Sequence, residues 1–108
     1  MKINRHQALI IISAILLSLT AGCATRPVDT HSRNMAASCA ACHGTNGNSK
    51  GGAPALAGLD KSYFVTQMKN FKSGTRPATV MHQHAKGYSD EEIEKLSVFF
   101  AAQKPEAQ

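Results

Sequence analysis

The sequence predicts a small all-α domain. Its 108 residues allow one domain of modest size. Apolar residues recur at helical spacing around residues 64–71 and 93–100, and no run alternates apolar and polar residues as a half-buried strand does. A chain this short buries little apolar surface by itself and usually needs a disulfide, a metal or a cofactor to complete its core. The pattern therefore predicts helices assembled around a bound group.

The first two helical stretches are separated by a glycine-rich segment. Residues 31–41 are rich in small side chains, and Ala36 and Ala37 would let another helix approach closely. Residues 44–52 contain four glycines and predict a turn-rich loop. Residues 62–72 then carry apolar side chains at positions i, i+4 and i+7, and a Ser-Gly pair supplies the stop. These apolar residues are Phe64, Met68 and Phe71.

The third helix follows an irregular segment, residues 76–87, in which Pro77 prevents a helix at the start. Ser89 and Glu92 have the spacing of a capping box, and acidic residues in a first turn are favoured by the helix dipole. Apolar residues then recur at i, i+3, i+6 and i+7, before Pro105 ends the helix. They are Ile93, Leu96, Phe99 and Phe100.

The N-terminal residues predict export. A basic start with Lys2 and Arg5 is followed by an uncharged run, residues 8–21. This pattern is typical of a secretory signal peptide, which we place at residues 1–22. The apolar run is shorter than the roughly 20 residues that cross a bilayer. The remaining 86 residues carry 10 basic and 7 acidic side chains with no basic stripe, which argues against nucleic acid as a partner.

Two cysteines and a histidine form the string Cys39-Ala40-Ala41-Cys42-His43, which is the attachment pattern for a c-type haem. Two thiols within one helical turn can each bond to a haem vinyl group, and the adjacent imidazole can bind the iron. A structural disulfide, a thioredoxin-like redox pair and half of a zinc site are the alternatives. The redox pair lacks a βαβ context, and zinc lacks a second ligand pair in the sequence.

A third cysteine, Cys23, follows Leu19-Thr20-Ala21-Gly22 and resembles the acylated cysteine of a bacterial lipobox, although Thr20 stands where leucine is more frequent. Acylation would anchor the mature chain in a membrane, because several acyl chains give stable attachment. The alternative is ordinary cleavage and a free thiol. We therefore expect a lipidated Cys23, a tether over residues 23–30, a domain over residues 31–104 and a tail over residues 105–108.

The helices, the CAACHG motif, the glycine-rich loop and a later methionine together resemble a class I c-type cytochrome, over residues 31–103. The resemblance implies a small cytochrome c fold, with three to four helices around one covalently bound haem c. It also implies tight crossing of the terminal helices, with Ala36 and Ala37 against Phe99 or Phe100. The carbonyl group of Pro54 would hold the ring of His43, the proximal iron ligand.

The opposite iron ligand has several candidates, which are Met35, Met68, Met81, His31, His82 and His84. Met35 lies too close to the haem motif to reach the other haem face, and Met68 completes an apolar helix face, where methionine is usually core. Met81 lies in the segment where the resembled family carries its ligand. We therefore predict Met81, since a thioether is the usual partner of histidine in cytochromes c. His82 and His84 remain its rivals.

Two stretches, residues 71–81 and residues 85–93, resemble the cytochrome subunit of flavocytochrome c sulfide dehydrogenase. The resemblance implies a non-catalytic, periplasmic subunit that accepts electrons from a sulfide-oxidising flavoprotein. A free-standing carrier for a terminal oxidase or another dehydrogenase is the alternative, and a gas sensor with an open iron site is a third. Four lysines would steer an acidic partner to the haem edge or form an ordinary solvated surface. They are Lys50, Lys69, Lys72 and Lys86.

Overall fold

The structure is a computed structural model that describes residue 4 and residues 29–107. Its α-helices, in chain order, are α1 (Thr30–Ala37), α2 (Ala40–His43), α3 (Lys61–Ser73), α4 (Met81–Lys86) and α5 (Asp90–Ala101), with a 3₁₀ turn at Thr45–Gly47. No strand occurs in these residues. The predicted all-α class is confirmed.

Local signals fix the ends of the longest helices. The carboxylate of Asp60 accepts a hydrogen bond from Tyr63 N at 2.9 Å and caps α3. Gly74 ends that helix in the left-handed region, with φ of 83°, a conformation that costs glycine little. The predicted capping box of α5 is present, since Ser89 Oγ accepts from Glu92 N and the Glu92 carboxylate accepts from Ser89 N.

The structure differs from the predicted helices in two places. The stretch predicted as one helix over residues 31–41 breaks at Ser38, whose hydroxyl donates to Met35 O at 2.8 Å and so competes with the helical pattern. The prediction that residues 76–87 are irregular is wrong for residues 81–86, which form α4. This helix is too short to display a periodicity in the sequence, and it packs on α3 with Ala85 fully buried.

The core lies where α1, α3, α4 and α5 meet. Its buried members are Ala36, Phe64, Met68, Ala85, Ile93, Leu96 and Phe100. Ala36 packs in this cluster with Phe100, as expected for tightly crossing terminal helices, and Phe99 packs at its margin. The expectation was wrong for Ala37, which is exposed because the helix turns it about 100° away from Ala36.

The glycine-rich loop is fixed against α5. Gly47 has φ of 79°, and a Cβ atom there would lie 2.8 Å from Ala57 N and 3.0 Å from the Phe100 ring. The carbonyl of Gly47 accepts hydrogen bonds from Leu56 N at 2.8 Å and Ala57 N at 3.1 Å. The loop therefore folds back on itself at a position that only glycine fits.

The C-terminal residues hold the same loop from outside. The side chain of Asn48 donates to Lys104 O at 3.2 Å and accepts from Glu106 N at 2.8 Å. Gly58 N donates to Phe100 O at 2.9 Å. Part of the predicted tail, residues 105–108, thus lies against the loop. Among residues 29–107 no helix has the length and apolar character needed to cross a membrane.

Candidate haem-binding site

The break after α1 places both cysteines of the motif in one helical turn. Cys39 caps α2, and its carbonyl accepts hydrogen bonds from Cys42 N at 3.3 Å and His43 N at 2.9 Å. Both thiols are free; Cys42 is exposed and Cys39 is half-buried. Burial raises the pKa of the Cys39 thiol, although the contact with the Ser38 hydroxyl opposes that shift. The backbone therefore holds the two cysteines within one helical turn.

His43 is buried at the end of α2, and its ring has a defined orientation. Nδ1 lies 2.7 Å from Pro54 O. Since a carbonyl oxygen only accepts hydrogen bonds, this contact places the ring proton on Nδ1 and leaves the lone pair on Nε2. Gly44 allows the chain to turn back here, because its φ is 78° and a Cβ atom would lie 2.2 Å from Asn48 O. A metal-binding histidine is typically oriented through its second nitrogen in this way.

These residues fit a haem better than the alternatives. In the described part of the chain, no three His, Cys, Asp or Glu side chains are grouped to hold a metal ion by themselves, and the two cysteines form no disulfide with each other. Half-buried apolar side chains pack against the core cluster, as Cys39 of the motif does, and suit an apolar macrocycle. They include Met35, Leu56, Leu59, Val65, Phe71, Met81 and Tyr88.

The candidates for the opposite iron ligand occupy different environments. Met68 is buried in the core, as the sequence pattern indicated. Met81 is the first residue of α4 and packs half-buried against the core cluster. His84 is exposed, whereas His82 is half-buried and its Nδ1 atom has no hydrogen-bond partner. The assignment of Met81 stays a prediction.

The lysines proposed to steer a partner are mostly paired with acids. Asp90 lies 3.0 Å from Lys72 Nζ and 3.8 Å from Lys69 Nζ, and Lys50 Nζ lies 2.9 Å from Glu106. The hydrogen bond and the charge of Lys72 lower the pKa of Asp90. Lys86 has no ion pair within residues 29–107. Three of the four lysines therefore pair with an acid, but Lys69 and Lys72 share the carboxylate of Asp90, so two of the four positive charges are not balanced by these pairs.

Sequence reasoning missed one contact between the turn before the motif and the segment that follows α4. The hydroxyl groups of Ser38 and Tyr88 lie 2.6 Å apart, which joins the turn before Cys39 to the segment after α4. Lys72 Nζ also donates to Tyr88 O at 2.8 Å. No sequence signal pairs residues 50 positions apart, so only the folded chain reveals this link.

An all-helical domain with a Cys-x-x-Cys-His turn and an oriented histidine defines a c-type cytochrome. Residues 32–103 match the family model described as Cytochrome c, and the chain belongs to this family. Its members carry a covalently bound haem c and transfer electrons, so the chain is an electron-transfer protein and not itself catalytic.

The chain is similar to three relatives of different kinds. The chain is 46% identical over 79 residues to the cytochrome subunit of sulfide dehydrogenase from Chlorobaculum tepidum, covering 71% of each chain. It is 40% identical over 72 residues to a thiosulfate dehydrogenase electron acceptor from Thiomonas intermedia, covering 65% of this chain and 33% of that protein. It is 36% identical over 83 residues to cytochrome c4 from Azotobacter vinelandii, covering 68% and 40%. The chain thus spans less than half the length of the last two relatives.

Apart from residue 4, the predicted signal peptide lies outside the described residues, as do Cys23 and most of the predicted tether. Their assignments stay predictions.

Proposed function

We propose that this chain transfers single electrons through one haem c, as the electron-accepting subunit of a sulfide-oxidising flavocytochrome c. The observation that carries the proposal is the 46% identity to a sulfide dehydrogenase cytochrome subunit, which extends over 71% of both chains. The sequence contains a single Cys-x-x-Cys-His motif, which supports one haem per chain.

Each site residue has a distinct role in this proposal. Cys39 and Cys42 would hold the haem by thioether bonds, and His43 Nε2 and the Met81 thioether would bind its iron. When bound, the haem supplies an iron that alternates between ferrous and ferric states and so carries one electron. Pro54 fixes the ring of His43 through the 2.7 Å contact at Nδ1, which keeps the ligand in place in both oxidation states.

The apolar side chains around the site would exclude water. Leu56, Leu59 and Phe71 pack against the core cluster and would enclose the macrocycle. A dry, rigid environment around the iron limits the reorganisation that accompanies gain or loss of an electron, and the burial and the axial ligands set the potential. The chain itself then needs to make or break no bond during turnover.

We also propose that the chain is exported and anchored at the periplasmic side of a membrane through a lipidated Cys23. The support is the sequence pattern of residues 1–23. The anchor would keep the subunit beside a membrane-associated electron-transfer chain.

A free-standing carrier is the second candidate function. It is supported by relatives of other kinds, because a thiosulfate dehydrogenase electron acceptor and cytochrome c4 also match this chain. Such a carrier would serve another dehydrogenase or a terminal oxidase and would need no permanent partner.

Anaerobic mixing experiments distinguish the two functions. The oxidised holoprotein is mixed with sulfide alone, with sulfide and a purified sulfide-oxidising flavoprotein, or with thiosulfate and a thiosulfate dehydrogenase. We expect rapid haem reduction in the second mixture, and co-elution of the cytochrome with the flavoprotein in gel filtration. Equal reduction in the second and third mixtures without co-elution would favour the free-standing carrier and contradict the sulfide dehydrogenase proposal.

A further inference from the structure

The turn that contains the two motif cysteines, residues 37–42 (the attachment turn), has few bonds to the rest of the molecule. The backbone nitrogens of Ser38, Cys39 and Cys42 each donate to a carbonyl only three positions earlier. Ser38 and Cys42 are exposed, so core packing does not hold them. Among the described residues, one hydrogen bond joins this turn to a distant element, and it connects the hydroxyl groups of Ser38 and Tyr88 at 2.6 Å.

The direction of this hydrogen bond follows from a second one. The Ser38 hydroxyl donates its single proton to Met35 O at 2.8 Å. Its oxygen is therefore the acceptor toward Tyr88, and the Tyr88 hydroxyl is the donor. Ser38 Oγ also lies 4.0 Å from Cys39 Sγ. The bond from Tyr88 thus holds the Ser38 side chain where it interrupts α1, directly before the first attachment cysteine.

Tyr88 is a well-fixed partner because its backbone is bound to two other helices. Its nitrogen donates to Ala85 O of α4 at 3.3 Å, and its carbonyl accepts from Lys72 Nζ of α3 at 2.8 Å. Lys72 is held in turn by Asp90, 3.0 Å away. The half-buried Tyr88 side chain also packs against the buried core cluster. The Tyr88 hydroxyl is therefore a fixed point to which the exposed attachment turn is bound.

We infer that Tyr88 is a positioning residue, which holds the attachment turn through Ser38 at a fixed place relative to α3 and α4. The inference rests on the bound haem and the Met81 ligand of the proposed function. A haem bonded to Cys39 would move with the attachment turn, whereas Met81 is the first residue of α4. Tyr88 thus joins the turn that would carry the cofactor to the helix that carries its predicted ligand.

The two ends of the motif are held by different means. His43 is buried and lies 2.7 Å from Pro54 O, whereas Ser38 lies at the surface, where water can replace a lost donor. Loss of the Tyr88 hydroxyl should therefore change the overall stability little but free the attachment turn from α4. One hydrogen bond contributes a net factor of about 2–10 to an equilibrium constant, so local opening of the turn should increase by that factor.

The test uses the holoprotein with Tyr88→Phe, Ser38→Ala and both changes together. Ser38→Thr keeps the hydroxyl, and Tyr63→Phe removes the same atom from an exposed side chain of α3. Amide hydrogen exchange in the ferrous protein reports opening of the attachment turn, and imidazole binding to the ferric protein reports departure of the methionine ligand. Both rates should rise about 2- to 10-fold in each single variant. The double variant should match Ser38→Ala, in which Tyr88 has already lost its partner. Ser38→Thr and Tyr63→Phe should match wild type.

Wild-type rates in Tyr88→Phe would overturn the inference. A double variant that exceeds Ser38→Ala would do the same, since Tyr88 would then act without Ser38. Hydrogen exchange that rises equally in α3 and α5 would show that Tyr88 supports the whole fold rather than this turn. Failure of the proposed ligation is distinguishable, because wild type would then lack the thioether band, while hydrogen exchange would still decide whether Tyr88 holds the turn. None of these measurements needs sulfide.

Discussion

Met81 and Met68 provide a matched pair of substitutions, because the same thioether is removed from two different environments. Met81→Ala removes the predicted iron ligand. We expect it to abolish the weak thioether-to-ferric charge-transfer band, to open the iron to carbon monoxide or imidazole, and to lower the midpoint potential, since a thioether favours ferrous iron. Met68→Ala should leave the band and the potential unchanged.

The two variants should lose unfolding free energy for different reasons. Met68 is only 6% exposed and belongs to the buried cluster with Phe64 and Phe100. Truncation of such a side chain to alanine costs about 2–5 kcal/mol of unfolding free energy, depending on how far the cavity closes. Half-buried residues such as Val65 and Phe71 border the cluster and can relax, so we expect about 3 kcal/mol. Met81 is half-buried, so Met81→Ala should lose about 1 kcal/mol from its apolar contacts, together with the contribution of its bond to the iron.

Urea denaturation followed by circular dichroism measures the stability change, and visible spectra of the ferric protein report the ligand. His82→Ala and His84→Ala serve as controls and should keep the band. Retention of the band in Met81→Ala, together with its loss in Met68→Ala or a histidine variant, would show that the ligand assignment is wrong. Such a result would also contradict the histidine and methionine ligation in the proposed function.

Three further predictions concern the cofactor, the anchor and acid stability. Replacing both Cys39 and Cys42 by serine should abolish covalent haem and leave the domain largely unfolded, because the cofactor completes a small core; a cooperative unfolding transition by circular dichroism would contradict this. Cys23→Ser should lose incorporation of a labelled fatty acid and become soluble in the periplasmic fraction, whereas equal solubility and no label in both forms would disprove lipidation. Lys72 lowers the pKa of Asp90 below its ordinary value of 3.8, so the Asp90 carboxylate stabilises the fold above pH 3.8, and this contribution is lost as the pH falls. Acid titrations followed by circular dichroism should be shallower for Asp90→Asn than for wild type. Identical curves would refute the contribution.

The sequence predicted the elements that carry their own start and stop signals. The helix expected at residues 62–72 extends over Lys61–Ser73, because its apolar spacing and its terminal glycine are both local. Ser89 and Glu92 located the start of the last helix for the same reason. Haem attachment through Cys39 and Cys42 could also be predicted from neighbouring residues, because the chemistry depends on two thiols in one helical turn.

The sequence did not predict features that depend on contacts between residues far apart in the chain. The short helix at Met81–Lys86 is stabilised by packing on α3 rather than by its own pattern. The pairing of Lys72 with Asp90, at 3.0 Å, joins two helices whose approach no spacing rule predicts. The contact between His43 and Pro54 was expected only from the family resemblance, because a carbonyl group 11 residues away leaves no mark in a composition or a periodicity.

The hydrogen bonds between Asn48 and the last residues of the chain have a practical consequence for protein engineering. Asn48 begins the segment that returns to Pro54. Its side chain is hydrogen-bonded to the backbone carbonyl of Lys104 and to the backbone nitrogen of Glu106. A chain shortened to end at Ala102 would lose these contacts and loosen the segment that orients His43. An affinity tag added after Gln108 would retain them. The choice of C-terminal boundary should therefore affect the spectrum of a haem bound more than 50 residues earlier in the chain.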